Sequence, residues 1–185
     1  MWLIAGLGNP GARYARTRHN IGFLVLEELA DKNSLEFTDR TEFRISKGSI
    51  ENKDVILMEP LSFMNRSGTP VNKLAGKNGV SPDCIIVVHD DLDMETGKLK
   101  IRKKGSSGGH RGVESIMQNL GSDDFVRIKI GIGRSEFIPA EQYVLSKFRK
   151  EEIPLIKEAI KKAVEAVHSI ITEGVEKAMN RYNRT

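Results

Sequence analysis

Apolar positions along the chain follow two rhythms, one of period two and one of helical spacing, separated by glycine-rich or polar turns. A short apolar run, Leu3-Ile4-Ala5, stops at Gly6-Leu7-Gly8-Asn9-Pro10-Gly11, the composition of a strand ending in a turn. Over residues 21–31, Phe23, Leu24, Val25, Leu26 and Leu29 recur at mixed helical spacing, which predicts a helix packed on a sheet. Residues 43–49 alternate, with Phe43 and Ile45 set against Arg44 and Ser46. Asn52-Lys53 turns the chain and residues 54–58 return, a hairpin. A loop at 62–68 leads into a helix over 69–78, with Pro70 in its first turn and Gly79 past its end. Residues 84–89 are apolar throughout until His89, as in strands buried on both faces, and run out into His89-Asp90-Asp91-Leu92-Asp93.

The second half repeats the alternation with different chemistry. In a strand over 98–104, period two places Lys98, Lys100, Arg102 and Lys104 on one face and Leu99 and Ile101 on the other. A glycine-rich loop over 105–112 precedes a helix over 113–120 and a last strand over 125–131. Residues 135–147 have no clean period and read as a mobile cover. From Glu151 onward, Ile153, Ile156, Ile160, Val164, Val167 and Ile171 mark a long amphipathic helix, which Gly174 breaks before a short basic tail. Strands alternating with helices predict an α/β fold: one domain over residues 1–185, with a mixed, mainly parallel twisted sheet flanked by helices.

Composition narrows the class. At 185 residues, 39% hydrophobic and 29% charged, the chain is long enough to bury a real core and has the make-up of a globular domain rather than a disordered or membrane-spanning one. A formal charge of +4 permits a polyanionic partner without requiring one. Cys84 is the only cysteine; it lies in an apolar run and reads as a small buried hydrophobe. With no disulfide to form, and no basic leader or long apolar stretch, the expected location is the reducing cytoplasm.

Three strand ends carry reactive loops: residues 9–20, 89–93 and 106–111. Gly6-x-Gly8-x-x-Gly11 matches a dinucleotide fingerprint as a string, but residues 12–18 lack the apolar period of the helix that fingerprint requires, so the nucleotide reading is rejected. His19 and Asp90 could form a base and its orienting carboxylate; equally, spacing allows a surface histidine and a turn-forming aspartate. Gly105-x-Ser107-x-Gly109 resembles a nucleophile elbow, but the strand before it is charged, and Ser107 reads as a loop residue. His89, Asp90, Asp93 and His110 could ligate an ion, yet there is no thiolate set or paired-histidine helix, and no metal is expected. His168 reads as structural. The cationic face at 98–104 either guards a strand edge or binds phosphate, and the lack of any acidic neighbour on it favours phosphate.

Together these segments resemble the bacterial peptidyl-tRNA hydrolase family. The resemblance rests on Gly6-Leu7-Gly8-Asn9-Pro10-Gly11, Tyr14, Thr17-Arg18-His19-Asn20, Phe63-Met64-Asn65-x-Ser67-Gly68, His89-Asp90-Asp91-Leu92-Asp93, Gly108-Gly109-His110-x-Gly112 and Arg127-x-Lys129-Ile130-Gly131-Ile132-Gly133. The match is collinear and covers essentially the whole chain.

The resemblance implies a monomeric cytoplasmic esterase that cleaves peptide from the 3′ adenosine of prematurely released peptidyl-tRNA, gripping the acceptor stem and 3′ end and using no cofactor. On the family pattern His19 is the general base on water and Asp90 holds it in the basic form. Asn9 recognises the blocked amino group, and Asn65 helps place the ester and water. Tyr14, Phe63 and Asn65 line the site for the tRNA end and the peptide; His110 and Lys129 are counted among the substrate-binding residues. Lys100 and Arg102 match the clamp on the tRNA 5′ phosphate. Two positions depart from the pattern. Arg111 stands where the family usually has Asn, and is expected to point outward to 3′-end phosphates or a peptide carbonyl. Lys129 replaces the usual Arg, keeping the charge but losing bidentate geometry. A second reading, a non-catalytic relative acting in RNA splicing, is opposed by the presence of Asn9, His19, Asn65 and Asp90.

Overall fold

The computed structural model describes residues 1–184. In chain order the elements are β1 (Trp2–Gly6), α1 (Ile21–Lys32), β2 (Thr38–Asp39), β3 (Phe43–Ile50), β4 (Lys53–Pro60), α2 (Gly68–Lys77), β5 (Ile85–Asp91), β6 (Leu99–Arg102), α3 (Arg111–Leu120), β7 (Val126–Gly131), α4 (Ala140–Tyr143), α5 (Ile153–Glu173) and α6 (Val175–Tyr182). The strands form one seven-stranded sheet in the order β2-β3-β4-β1-β5-β7-β6. Its centre, β4-β1-β5-β7, is parallel; β3 joins β4, and β6 joins β7, antiparallel. The α/β architecture with antiparallel additions at the edges is therefore the one the alternating pattern predicts.

Each central strand buries both faces. Ile4, Leu57, Ile86, Val88, Ile101 and Ile128 pack under α1, α5 and α6, while Leu3, Ala5, Ile56, Met58, Ile85 and Val87 pack under α2 and α3. The first helix lies unusually close to the sheet. A Cβ on Gly22 would stand 2.3 Å from the Leu7 nitrogen and 2.4 Å from the Val88 carbonyl oxygen, so only glycine fits there. This contact is what the early glycines serve. The chain after Gly11 makes two short 3-10 turns, Ala12–Tyr14 and Arg18–Asn20, before α1 opens at Ile21, so the α-helix begins ten residues past the third glycine.

Several expectations need correction. The strand expected over 98–104 is only Leu99–Arg102, because Gly105 turns away at φ +139. Its alternation is as expected, with Leu99 and Ile101 buried and Arg102 exposed. The basic tail is a helix, α6, and beyond it Asn183 caps the sheet edge. Asn183 Oδ1 accepts from Ile101 N (2.7 Å) and its Nδ2 donates to Ile101 O (3.0 Å), pairing backbone that an edge strand would otherwise leave open. Cys84 lies in a 3-10 turn ahead of β5 and is half-buried. Residues 135–147 are no free cover either. The Val144 and Ser146 carbonyls accept from His19 N (2.8 Å) and Arg18 N (3.0 Å), and buried Tyr143 donates its hydroxyl to Ile132 O at 2.7 Å. The outer part projects, leaving Phe137 93% exposed.

Between β4 and α1 lies a buried acid. Glu59 is fully buried; Arg44 Nη1 donates to its Oε2 at 2.7 Å, and its Oε1 has no partner. Burial pushes its pKa up to about 7 against the pull of Arg44. A raised folded-state pKa gives stability that is complete below the unfolded value and lost as pH rises through about 7. Glu59→Gln is therefore expected to flatten the fall in stability between about pH 4.5 and 7. It should melt above the parent at pH 8 and close to it at pH 5, as thermal unfolding at the two pH values will read.

Candidate active site

The carboxyl ends of β1 and β5 carry the first two loops, and the loop entering α3 closes over them. In open α/β sheets this is where ligands bind. A cleft of about 520 Å³ opens there, lined among others by Asn9, His19, Phe63, Asn65, Asp90 and His110. A larger hollow of about 730 Å³, at the opposite sheet edge against α2, is lined by no histidine and by none of the motif residues.

Asp90, near the end of β5, lies on the floor of the cleft and is 2% exposed. His19 Nδ1 stands 2.9 Å from both of its carboxylate oxygens, and His110 Nε2 stands 2.9 Å from Oδ1. Burial by itself would raise the carboxyl's pKa. Attraction to the two histidines and their hydrogen bonds outweighs it, and holds Asp90 well below the usual carboxylate range. Asp90 is thus an anion that accepts from both rings. His89, buried beneath, donates its Nδ1–H to the Asp90 carbonyl (2.7 Å) and sets its ring edge-on to His110 at 4.7 Å. Burial pulls its pKa well below the ordinary histidine value.

Asn9 is pinned from two sides. Its backbone N–H donates to Asn20 Oδ1 (2.9 Å) and its carbonyl accepts from Asn20 Nδ2 (3.0 Å). Its side-chain Oδ1 accepts from Met64 N at 2.9 Å. A backbone N–H can only donate, so the amide orientation is settled and Nδ2 is the group Asn9 has left to offer the cleft. Asn65 and Phe63 stand exposed at the rim, Phe63 at 59%. Tyr14 lines the opposite wall beneath the Arg13 guanidinium, 4.5 Å from the ring centre, and its hydroxyl accepts from Arg13.

Arg111 points outward, 66% exposed, and is already paired: Nη2 meets Glu141 Oε1 at 2.7 Å across the mouth of the cleft. Glu141, from α4, is a site residue that sequence reasoning missed, because nothing local to either position links them. Asn20 is another; it stood in a quoted motif, but its partnership with Asn9 spans a fold, not a spacing.

Lys100, Arg102 and Lys129 do not line the cleft. They continue from its wall along the sheet: Lys129 pairs in register with His89 on one side and Lys100 on the other, and Arg102 with Arg127. Lys129 is neutralised by Asp91 Oδ2 at 2.5 Å. Of the four residues weighed as metal ligands, Asp93 is turned away onto Arg134, and Asp90 and His110 are joined by a hydrogen bond. Ser107 stays a loop residue whose hydroxyl accepts from Gly109 N.

A seven-stranded α/β sheet with a carboxylate-oriented imidazole in an asparagine-walled cleft defines a class, the α/β proteins equipped to activate water for hydrolysis. The chain belongs to the peptidyl-tRNA hydrolase family, whose model matches residues 3–185. It is 50% identical to the peptidyl-tRNA hydrolase of Thermodesulfovibrio yellowstonii and 44% to that of Desulfitobacterium hafniense, in each case across the whole of both chains. The crystal structure of peptidyl-tRNA hydrolase from Acinetobacter baumannii superposes with a TM-score of 0.94 at 36% identity, covering 99% of this chain and 94% of that one. Among the described residues no helix is long and apolar enough to cross a membrane.

Proposed function

We propose that this cleft hydrolyses the ester joining a peptide to the 3′ end of tRNA, with His19 as base, freeing tRNA stalled after premature release in the cytoplasm. The observation that carries this reading is the His19–Asp90 pair at 2.9 Å on the cleft floor. With Nδ1–H held by Asp90, the Nε2 lone pair takes a proton from water as it attacks the ester carbonyl. The tetrahedral intermediate collapses with breakage of the acyl–oxygen bond, and the ring returns its proton to the departing 3′ oxygen. The Asn65 amide supports the attacking water or the oxyanion.

Asn9 supplies the specificity. Its Nδ2 donates to the carbonyl that blocks the substrate's amino group. A free aminoacyl ester offers an ammonium there, a donor facing a donor, and loses the bond. Phe63 and Tyr14 flank the peptide and the terminal adenosine. Lys100 and Arg102 hold the 5′ phosphate of the acceptor stem, while the Lys129 charge is taken up by Asp91. The chain acts as a monomer.

Hydrolysis of an N-acetylated aminoacyl-tRNA, with the free aminoacyl-tRNA as control, tests the activity; equal rates on both would overturn the role of Asn9. Lys100→Ala with Arg102→Ala should weaken tRNA binding and flatten its salt dependence by about 0.7–0.9 in log–log slope per lost phosphate contact. A small N-blocked ester without the tRNA body should be cleaved almost as before. Equal losses on both substrates would mean that the strand serves folding instead.

A further inference from the structure

His110 belongs to the same cleft but has no free ring nitrogen to offer a substrate. It is the N-cap of α3: its Nδ1 accepts from Gly112 N at 3.2 Å and Val113 N at 3.3 Å. A nitrogen that accepts two amide hydrogens carries no proton, so the ring proton sits on Nε2 and is donated to Asp90 Oδ1 at 2.9 Å. Protonating the ring would put a third N–H against those amides at the positive end of a helix. The His19 ring lies on one side, centroid to centroid 5.0 Å, and His89 on the other.

We propose that His110 is a positioning residue: anchored by the amides that open α3, it holds the Asp90 carboxylate with both oxygens turned to His19 Nδ1. The same anchoring fixes the His110 tautomer, so that its Nε2–H stays on Asp90 Oδ1 while the carboxylate faces the imidazolium that forms on His19. It also argues against the three side chains as a metal site. A metal at His110 Nε2 would require the proton to move to Nδ1, against two N–H donors. The inference rests on His19 being the base.

The two contacts of His110 can be separated. His110→Asn places an amide oxygen where Nδ1 was, so it keeps the cap but does not reach Asp90. His110→Gln places an amide nitrogen near Nε2, so it keeps a donor to Asp90 and gives up the cap. In the full-length chain with the Asn substitution, kcat on N-acetylated aminoacyl-tRNA should fall on the order of tenfold to a hundredfold, as for loss of an outer partner of a functional imidazole. KM and the thermal midpoint should stay near the parent. With the Gln substitution, kcat should recover part of that loss while the midpoint drops.

Histidine ¹⁵N spectra of the same proteins read the cause. In the parent, Nδ1 of His110 is the unprotonated nitrogen and Nδ1 of His19 the protonated one; in the Asn variant, the His19 signals should show both tautomers. Parental kcat with a single His19 tautomer in the Asn variant overturns the proposal, as does a raised KM at unchanged kcat, which would make His110 a substrate contact. His19→Ala, run alongside, keeps the two ideas apart: turnover surviving that substitution defeats the base assignment itself, whatever His110 does.

Discussion

His19→Ala should lose about a hundredfold to ten-thousandfold in turnover, the range that a positioned general base contributes, while tRNA binding stays close to the parent. The substitution removes the imidazole assigned as base but leaves the cationic strip on β6 and β7 intact. Single-turnover hydrolysis and filter binding on the same preparations separate the two. Asp90→Ala should be milder in turnover and should also disturb its pH dependence, since the ring then loses its orienting anion. It also leaves His110 Nε2–H without an acceptor in a buried place, so some stability should go with it. Near-normal turnover by the His19 variant would end the mechanism.

Glu152→Ala should produce the largest loss of stability. Arg18 Nη1 and Nη2 donate to Glu152 Oε1 and Oε2 at 2.9 and 2.8 Å, and the two side chains are only 3% and 6% exposed. The guanidinium is stacked between Tyr143 at 4.3 Å and Phe148 at 5.0 Å. Removing the carboxylate strands a buried cation, a loss of about 3–5 kcal/mol. For a domain of this size that is a fall in melting temperature on the order of 10 °C. Because His19 follows Arg18 directly and hangs from the Val144 carbonyl, turnover should fall as well. Replacing both partners, Arg18→Met with Glu152→Leu, should restore most of the stability, since no charge is then left unpaired.

The pair also sets an acid limit. Burial would raise the Glu152 pKa, but its hydrogen bonds from Arg18 and Arg149 N outweigh this and hold it below 4.5. A depressed folded-state pKa gives stability that is present above the unfolded value, 4.5, and lost as pH falls through the folded one. Urea unfolding from pH 6 down to 3 should show the parent losing stability that Glu152→Gln no longer has to lose. Parallel curves for the two would place the acid limit elsewhere.

The elements that were legible in the sequence are those whose signal is local. Period two at residues 98–102 placed Leu99 and Ile101 inward because a pleated strand leaves a side chain no other choice, and the apolar run before His89 could only be a strand covered on both sides. The family motifs named His19, Asp90, Asn9 and Asn65 together. Residue spacing alone left His19 and Asp90 open between a functional pair and two unrelated polar residues, because 71 positions separate them.

What only the tertiary structure decided follows from contacts made across such distances. That residues 140–147 are strapped down depends on Arg18 and His19 amides more than a hundred positions earlier, and no periodicity encodes a backbone bond of that span. Arg111 is expected from sequence to reach phosphates or a peptide carbonyl, and only the fold brings Glu141 of α4 to it. That His110 Nδ1 is taken up by the amides that open α3 is likewise invisible in the string Gly108-Gly109-His110. A sequence determines which side chains are available and which faces of helices and strands they occupy, because both follow from local backbone geometry. Which hydrogen-bonding atoms remain free for chemistry is decided only when the packed chain has used up the others.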